Sequence, residues 1–288
     1  MQLPKLLYIT ELIYMLGYLG PTGTFSYIAA MEYAKDEKKI KEYKTIPAVL
    51  SAVQRGEISS AIVPIENSIE GSINTTLDML AFSDDLYIIA EHVLRIRQNL
   101  ITKPGTAKND IKKIASHPQP IGQCSVMLNT EFPDAEIIFT DSTAAAAELV
   151  KASDGSVAMI GTKESAELNG LVILNSDCGD EENNSTRFVI ISKTPLSTVT
   201  ENDRTSIVFS VSHTPGSLFN ALALFSVYDI NMIKIESRPI KKQLGQYIFF
   251  IDIDGNAADE DIGHVLKKLR SKTAMYRFLG SYQKAFEI

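Results

Sequence analysis

Around residue 195 the sequence changes its rhythm. Before it, apolar strand-like runs alternate with helical stretches: Ser60 to Val63, Ile111 to Ala115, Ala135 to Thr140 and Val157 to Ile160 are the clearest strands. Beyond it come a strand (Ile207 to Val211), an amphipathic helix (Leu218 to Tyr228) and two strands, Ile233 to Pro239 and Tyr247 to Ile253, paired across a turn at Gly245. A helix (Asp259 to Ser271) and a last strand (Ala274 to Tyr282) complete the order β-α-β-β-α-β. Between the two rhythms, Pro195, Ser197, Thr198 and Thr200 read as a linker over residues 195–203. A chain of 288 residues is long enough for two such units.

The expected class is therefore α/β: residues 15–194 as one domain, and residues 204–288 as a second domain of ferredoxin-like order. Within the first, Leu86 to Thr102 reads as a strand-rich crossover between two α/β lobes, the second covering about residues 100–174. Residues 1–14 stand apart as an N-terminal extension. Leu6-Leu7-Tyr8-Ile9 is far too short to span a membrane, and no signal-peptide pattern surrounds it.

Charge and composition exclude some roles. A net charge of −7 (28 basic residues against 35 acidic) offers no basic face to nucleic acid. It does not exclude an anionic ligand, because helix N-termini bind anions locally. Cys124 and Cys178 are too few for a disulfide framework and fit a reducing cytoplasm. His92, His117, His213 and His264 show no metal-ligand spacing, so no metal site is expected.

Three stretches place polar groups at the mouths of strands. Asn183-Asn184-Ser185-Thr186-Arg187 runs into the strand-like Phe188 to Ile191 and offers a hydroxyl and a guanidinium. The strand Ser60 to Val63 runs into Pro64-Ile65-Glu66-Asn67-Ser68, and ligands of open α/β sheets sit at such strand ends. Ser116-His117-Pro118-Gln119 follows a third strand, with Gln123 in the next helix. Two further turns, Gly20 to Ser26 and Ser142-Thr143-Ala144, open helices whose first N–H groups lack partners. Each stretch alone also fits a capped turn, and His117 before a proline reads as structural rather than catalytic.

Taken together and in this order, these motifs resemble prephenate dehydratase with a C-terminal ACT domain across Gly17 to Ile288. Pro215-Gly216-Ser217-Leu218 and Glu236-Ser237-Arg238-Pro239 match the two effector motifs, with Ser217 where the family usually carries Ala. The resemblance implies two lobes of periplasmic-binding-protein type with the site in the cleft, an oligomer built on dimers (homodimer or homotetramer) and no cofactor. It implies conversion of prephenate to phenylpyruvate, water and carbon dioxide in phenylalanine synthesis, with phenylalanine as allosteric effector. Residues 1–14 are too short for the chorismate mutase domain of some relatives, so a single activity is expected. Arogenate dehydratase and a non-catalytic amino-acid sensor are the rival readings.

The expected catalytic set is Thr186, Arg187, Glu66, Asn67, Ser116 and Gln123. Thr186 is expected to orient and polarise the departing hydroxyl, and Arg187 to bind a substrate carboxylate or brace the loop. Glu66 is either a protonated acid or turned away to orient its neighbours. The second is preferred, because an ionised Glu66 would repel a dianion by on the order of a few kcal/mol. Gly23, Thr24, Ser68, Ser142, Thr143, Ala144 and Phe188 are expected to hold substrate; Gly216, Ser217, Leu218, Glu236, Ser237, Arg238 and Pro239 are expected to hold the effector. The ACT domain reads as separable, so truncation after Thr200 is expected to leave some turnover without the phenylalanine response.

Overall fold

The computed structural model describes residues 15–240 and 246–285. The expected extension over 1–14 and the Gly245 turn lie outside the described residues. In chain order come β1 (Leu16–Leu19), α1 (Phe25–Ala34), β2 (Ile40–Tyr43), α2 (Ile46–Gln54), β3 (Ser60–Asn67), β4 (Gly71–Ser72), α3 (Asn74–Phe82) and β5 (Tyr87–Arg95). Next are β6 (Asn99–Thr102), β7 (Lys113–Ser116), α4 (Pro118–Gln123), α5 (Ser125–Glu131), β8 (Glu136–Phe139), α6 (Thr143–Ala152), β9 (Val157–Gly161), α7 (Lys163–Leu168) and β10 (Val172–Asn175). The chain continues with β11 (Ser185–Ser192), β12 (Asp203–Ser210), α8 (Ser217–Val227), β13 (Met232–Pro239), β14 (Tyr247–Asp254), α9 (Glu260–Lys272) and β15 (Met275–Gln283).

These strands form three sheets: β2-β1-β3-β11-β5 with β4 on β3, then β10-β6-β9-β7-β8, then β13-β14-β12-β15. The crossover expected over Leu86 to Thr102 is β5 in the first sheet and β6 in the second. The chain returns through β11, which lies antiparallel between β3 and β5.

Helix starts follow the sequence cues. Thr24, Thr45, Ser142 and Thr162 each accept a backbone N–H at a helix N-cap. Thr162, just after β9 of the second sheet, also donates through Oγ1 to the carbonyl of Gly23, just after β1 of the first sheet, at 2.5 Å. Gly23 has φ +86, a conformation that favours glycine, and a Cβ there would sit tightly against the Ser165 backbone at 3.3 Å.

Alternation along β11 sorts its residues. Phe188 and Ile190 pack under α1 with Tyr18, Ala29 and Ile62. Val189 and Ile191 face the other way, into a core holding Val63, Ile65, Leu77 and Leu80 together with Val208, Ile248, Phe250 and Tyr282 of the third sheet. The opposite face of that sheet carries Ile207, Phe209, Ile251 and Ile253 against α8 and α9. The third sheet is thus buried on both faces, one of them against the first sheet. The β-α-β-β-α-β order is observed, but its separability is not: cutting after Thr200 would bare the shared core.

Candidate active site

Between the first and second sheets lies a cleft of about 340 Å³, within the range of small-molecule sites. Thr24, Phe25 and Ser26 line it from α1, Ser142 and Thr143 from α6, and Asn67 and Thr186 from the ends of β3 and β11. His117, Gln119 and Gln123 line it from the loop and helix after β7, and Ile96 and Gln98 from the crossover. No lysine or arginine is among the lining residues; Asp141 is the one carboxylate.

Two hydrogen bonds orient the Asn67 amide. Its Oδ1 accepts from the backbone N–H groups of Ile69 and Glu70, both at 3.0 Å. Its Nδ2 therefore faces the strand beside it, donating to Thr186 Oγ1 at 3.0 Å and to Asn184 Oδ1 at 2.8 Å. Thr186 is buried, and its oxygen is already an acceptor, which leaves its proton for a group in the cleft.

The two helix starts supply the remaining polarity. At α1 the Thr24 side chain takes the N–H of Tyr27, and at α6 Ser142 takes that of Ala145. The N–H groups of Phe25, Ser26, Thr143 and Ala144 have no backbone acceptor among the described residues. One pair of donors, at the positive end of a helix, thus comes from α1 and one from α6.

Several expected site residues lie elsewhere. Arg187 points to the far face of the first sheet, where its guanidinium meets Asp252 at 2.9 Å, Glu66 at 3.0 Å and Glu91 at 3.3 Å. Arg204 joins Glu91 at 3.1 Å, and Lys234 joins Glu66 at 3.2 Å. Ser206 Oγ, itself bonded to the buried Tyr282 hydroxyl, donates to Asp252 at 2.6 Å. Burial alone would pull the Arg187 guanidinium down, but Asp252, Glu91 and Glu66 hold its pKa above the ordinary value. For Glu66, burial pushes upward, and Arg187 with Lys234 outweighs it, so its pKa lies below the usual carboxylate range. Glu66 is an ionised partner of the third sheet, not an acid in the cleft.

A β-bulge explains this sorting. The pairing of β3 with β11 shifts between Phe188↔Pro64 and Arg187↔Glu66, leaving Ile65 as the extra residue. Ile65 and Glu66 both turn to the far face, which re-aims Asn67 toward Thr186 and the cleft. Without the bulge, strict alternation from Ile62 would have put Glu66 in the cleft.

Ser116 is fully buried and donates to the Ile160 carbonyl at 2.9 Å, a bond between strands rather than to substrate. Ser68 clamps the loop, donating to the Asn183 carbonyl at 3.1 Å and accepting from the Ser185 N–H at 3.0 Å. Phe188 is core beneath α1, Gly23 accepts from Thr162 through its carbonyl, and Ala144 is not among the lining residues. Gln98, Ile96, Gln119 and Asp141 line the cleft without having been foreseen. Gln98 falls in the unpunctuated crossover, which gives no local signal.

In the third sheet, Gly216 (φ +81) opens α8, and Gly216, Ser217 and Leu218 line an open depression. Glu236 and Arg238 of β13 turn instead toward the first sheet. Glu236 accepts from Ser72 and pairs with Lys234, and Arg238 pairs with Asp78 at 2.9 Å. Ser237 and Pro239 stay exposed, beside Ile233 and Ile235. The two expected effector stretches therefore do not meet in one pocket of a single chain.

Among the described residues no helix is long and apolar enough to cross a membrane, and no cluster of His, Cys, Asp or Glu could hold a metal ion. A family model described as prephenate dehydratase matches residues 16–196. The chain is 39% identical over 274 residues to a prephenate dehydratase of Mycobacteroides abscessus, covering 92% of this chain and 88% of the relative. The prephenate dehydratase of Arthrobacter aurescens, solved in complex with L-Phe, superposes with a TM-score of 0.86 at 35% identity, over 93% of this chain and 90% of that one. GqqA, described as a quorum quenching acylase, superposes at 0.84 with 26% identity, over 94% and 98%.

Proposed function

The chain belongs to the prephenate dehydratase family, and we propose that it converts prephenate to phenylpyruvate, water and carbon dioxide in the cleft between the first two sheets. Because a chain of the same shape is named for a different activity, the site has to carry the reading. The observation that carries it is the Thr186 hydroxyl. Asn67 occupies one of its lone pairs, so its proton is free to meet the hydroxyl that departs from the substrate ring. Threonine is too weak an acid for full proton transfer, and its role is to orient and polarise the leaving group. As the C–O bond breaks, the electron pair of the bond to the lost carboxylate enters the ring, carbon dioxide leaves, and the departing hydroxide takes a proton from solvent to become water. Aromatisation drives the step, so no electron sink is needed. The N–H pairs at Phe25–Ser26 and Thr143–Ala144 suit the two carboxylates, one from each lobe.

We read residues 15–194 as a catalytic domain with two lobes of periplasmic-binding-protein type, 195–203 as a linker, and 204–288 as an ACT domain. The strand order β13-β14-β12-β15 with two helices supports the last assignment. Phenylalanine is the proposed effector, as the Arthrobacter aurescens complex suggests. Its site would combine Gly216, Ser217 and Leu218 with the exposed side of β13 across a homodimer or homotetramer. Exposed Phe219, Ile233 and Ile235 fit such a pairing face. A cytoplasmic location follows from this metabolic role.

Incubating the purified protein with prephenate, and separately with arogenate, tests the activity. Phenylpyruvate should form, and faster turnover of arogenate would move the assignment to arogenate dehydratase. Binding without turnover of either would make it a sensor.

A further inference from the structure

Gln98 and Gln123 line the cleft, and Glu70, outside its lining, completes a hydrogen-bonded row with them. Gln123 Nε2 donates to Glu70 Oε1 at 3.1 Å, and Gln98 Nε2 donates to Gln123 Oε1 at 3.0 Å. Glu70 fixes the direction of the whole row. An ionised carboxylate only accepts, so Gln123 must present its NH₂ to Glu70 and its oxygen to Gln98. Gln98 must then present its own NH₂, which leaves its amide oxygen at the end of the row. That oxygen is enclosed, and it has no hydrogen-bond partner among the described residues. Gln98 is 3% exposed and lines the same cleft as Thr186 and Asn67. A buried acceptor without a donor is costly, and the cost is relieved when a ligand supplies the donor.

We infer that Gln98 is a substrate-positioning residue, its Oε1 accepting a hydrogen bond from the ring hydroxyl of the substrate. The inference rests on the proposed dehydratase reading. Prephenate is otherwise made of acceptors: two carboxylates and a keto group. Its ring hydroxyl is its one hydrogen-bond donor at neutral pH. Thr186 has a proton to give and Gln98 has a lone pair to offer, so one hydroxyl is bound from both sides. A hydroxyl held this way has little rotational freedom, and its C–O bond is fixed against the departing carboxylate.

The test uses two saturated-ring analogues of prephenate that do not aromatise, one with the ring hydroxyl and one without it. Their dissociation constants are measured by calorimetry on the full-length parent and on Gln98→Met. The parent should prefer the hydroxylated analogue, and Gln98→Met should lose about tenfold of that preference. A ratio between two ligands is insensitive to the folded fraction, and a packing defect at position 98 would weaken both equally. An unchanged preference in the variant, or none in the parent, overturns the inference. Turnover of prephenate by the parent is measured beside it, so failure of the dehydratase reading shows separately. With arogenate and prephenate as substrates, Gln98→Met should lower kcat/KM equally, because both carry the hydroxyl. A selective loss with arogenate would instead place the oxygen at the side-chain amine and overturn the assignment to the hydroxyl.

Discussion

On one face of the first sheet Thr186 and Asn67 meet as neutral groups; on the other, one residue along each strand, Arg187 and Glu66 meet as ions. The neutral face holds its groups by directed hydrogen bonds, and the proposed carboxylate sites there are N–H donors at two helix starts. Among the residues that line the cleft there is no lysine or arginine, and Asp141 is the one carboxylate. The ionic face encloses Arg187, Glu91 and Asp252 against the third sheet, where a charge is tolerable only with its partners in place. Two neighbours in sequence thus serve different ends. Thr186 lines the cleft, whereas Arg187 fixes the strand that carries Thr186 to the third sheet.

The most drastic way to break this division is to remove the third sheet. A chain cut after Thr200 would expose Val189, Ile191, Ile65 and Leu77 and leave Arg187 without Asp252. It is expected to lose cooperative unfolding and turnover together, by circular dichroism and assay. A folded, active fragment would show the two faces to be independent after all.

Thr186→Ala comes next. Loss of an electrostatic donor should lower kcat by roughly two to three decades, with Thr186→Ser keeping much more and urea stability nearly unchanged. Parent-like kcat in the Ala variant would take Thr186 out of the chemistry.

Arg187→Met should show the reverse pattern. It leaves the buried Glu91 and Asp252 to share Arg204 alone, and breaking up a buried ion cluster costs about 3 kcal/mol, read from the urea midpoint. The kcat of whatever remains folded should fall far less than in Thr186→Ala. A kcat loss as large as that of Thr186→Ala with unchanged stability would place Arg187 in the cleft.

The smallest effect is expected from Glu66→Gln. Its folded pKa is depressed, so its contribution to stability is present above the unfolded value near 4.5 and is lost as pH falls through the folded value. The variant should therefore lose a little stability at pH 7, and its stability should fall less steeply in acid than the parent's. The acid limb of kcat against pH should not move. A displaced limb would return Glu66 to the chemistry as a proton donor.

Sequence legibility followed the same division. Element order, helix caps and the β-α-β-β-α-β pattern were readable because each rests on local periodicity or capping chemistry. Thr186, Asn67, Gln123, Thr24, Ser142 and Thr143 were foreseen and do line the cleft. Motifs group residues by adjacency, however, and a strand splits adjacent residues between two faces. Counting by two from Phe188 would already have sent Arg187 away from Thr186. The same count fails for Glu66, because the bulge at Ile65 follows from pairing with a strand far along the chain. Ser116 was expected in the catalytic set as part of a polar turn, yet it is the last buried residue of β7. Gln98 left no trace because its role depends on Gln123 and Glu70, which only the fold brings beside it.

The position of β11 also sets the order in which the molecule can be assembled. Its pairing joins Arg187 to Glu66 across 121 residues of chain, and every strand of the second sheet is made in between. During synthesis β3 and β5 therefore wait with open edges until residue 192 has emerged. Contacts of such long sequence separation slow folding and leave strand edges open to wrong partners. Thr186 arrives on the very strand that closes the gap, so a half-made first sheet lacks the Thr186 hydroxyl.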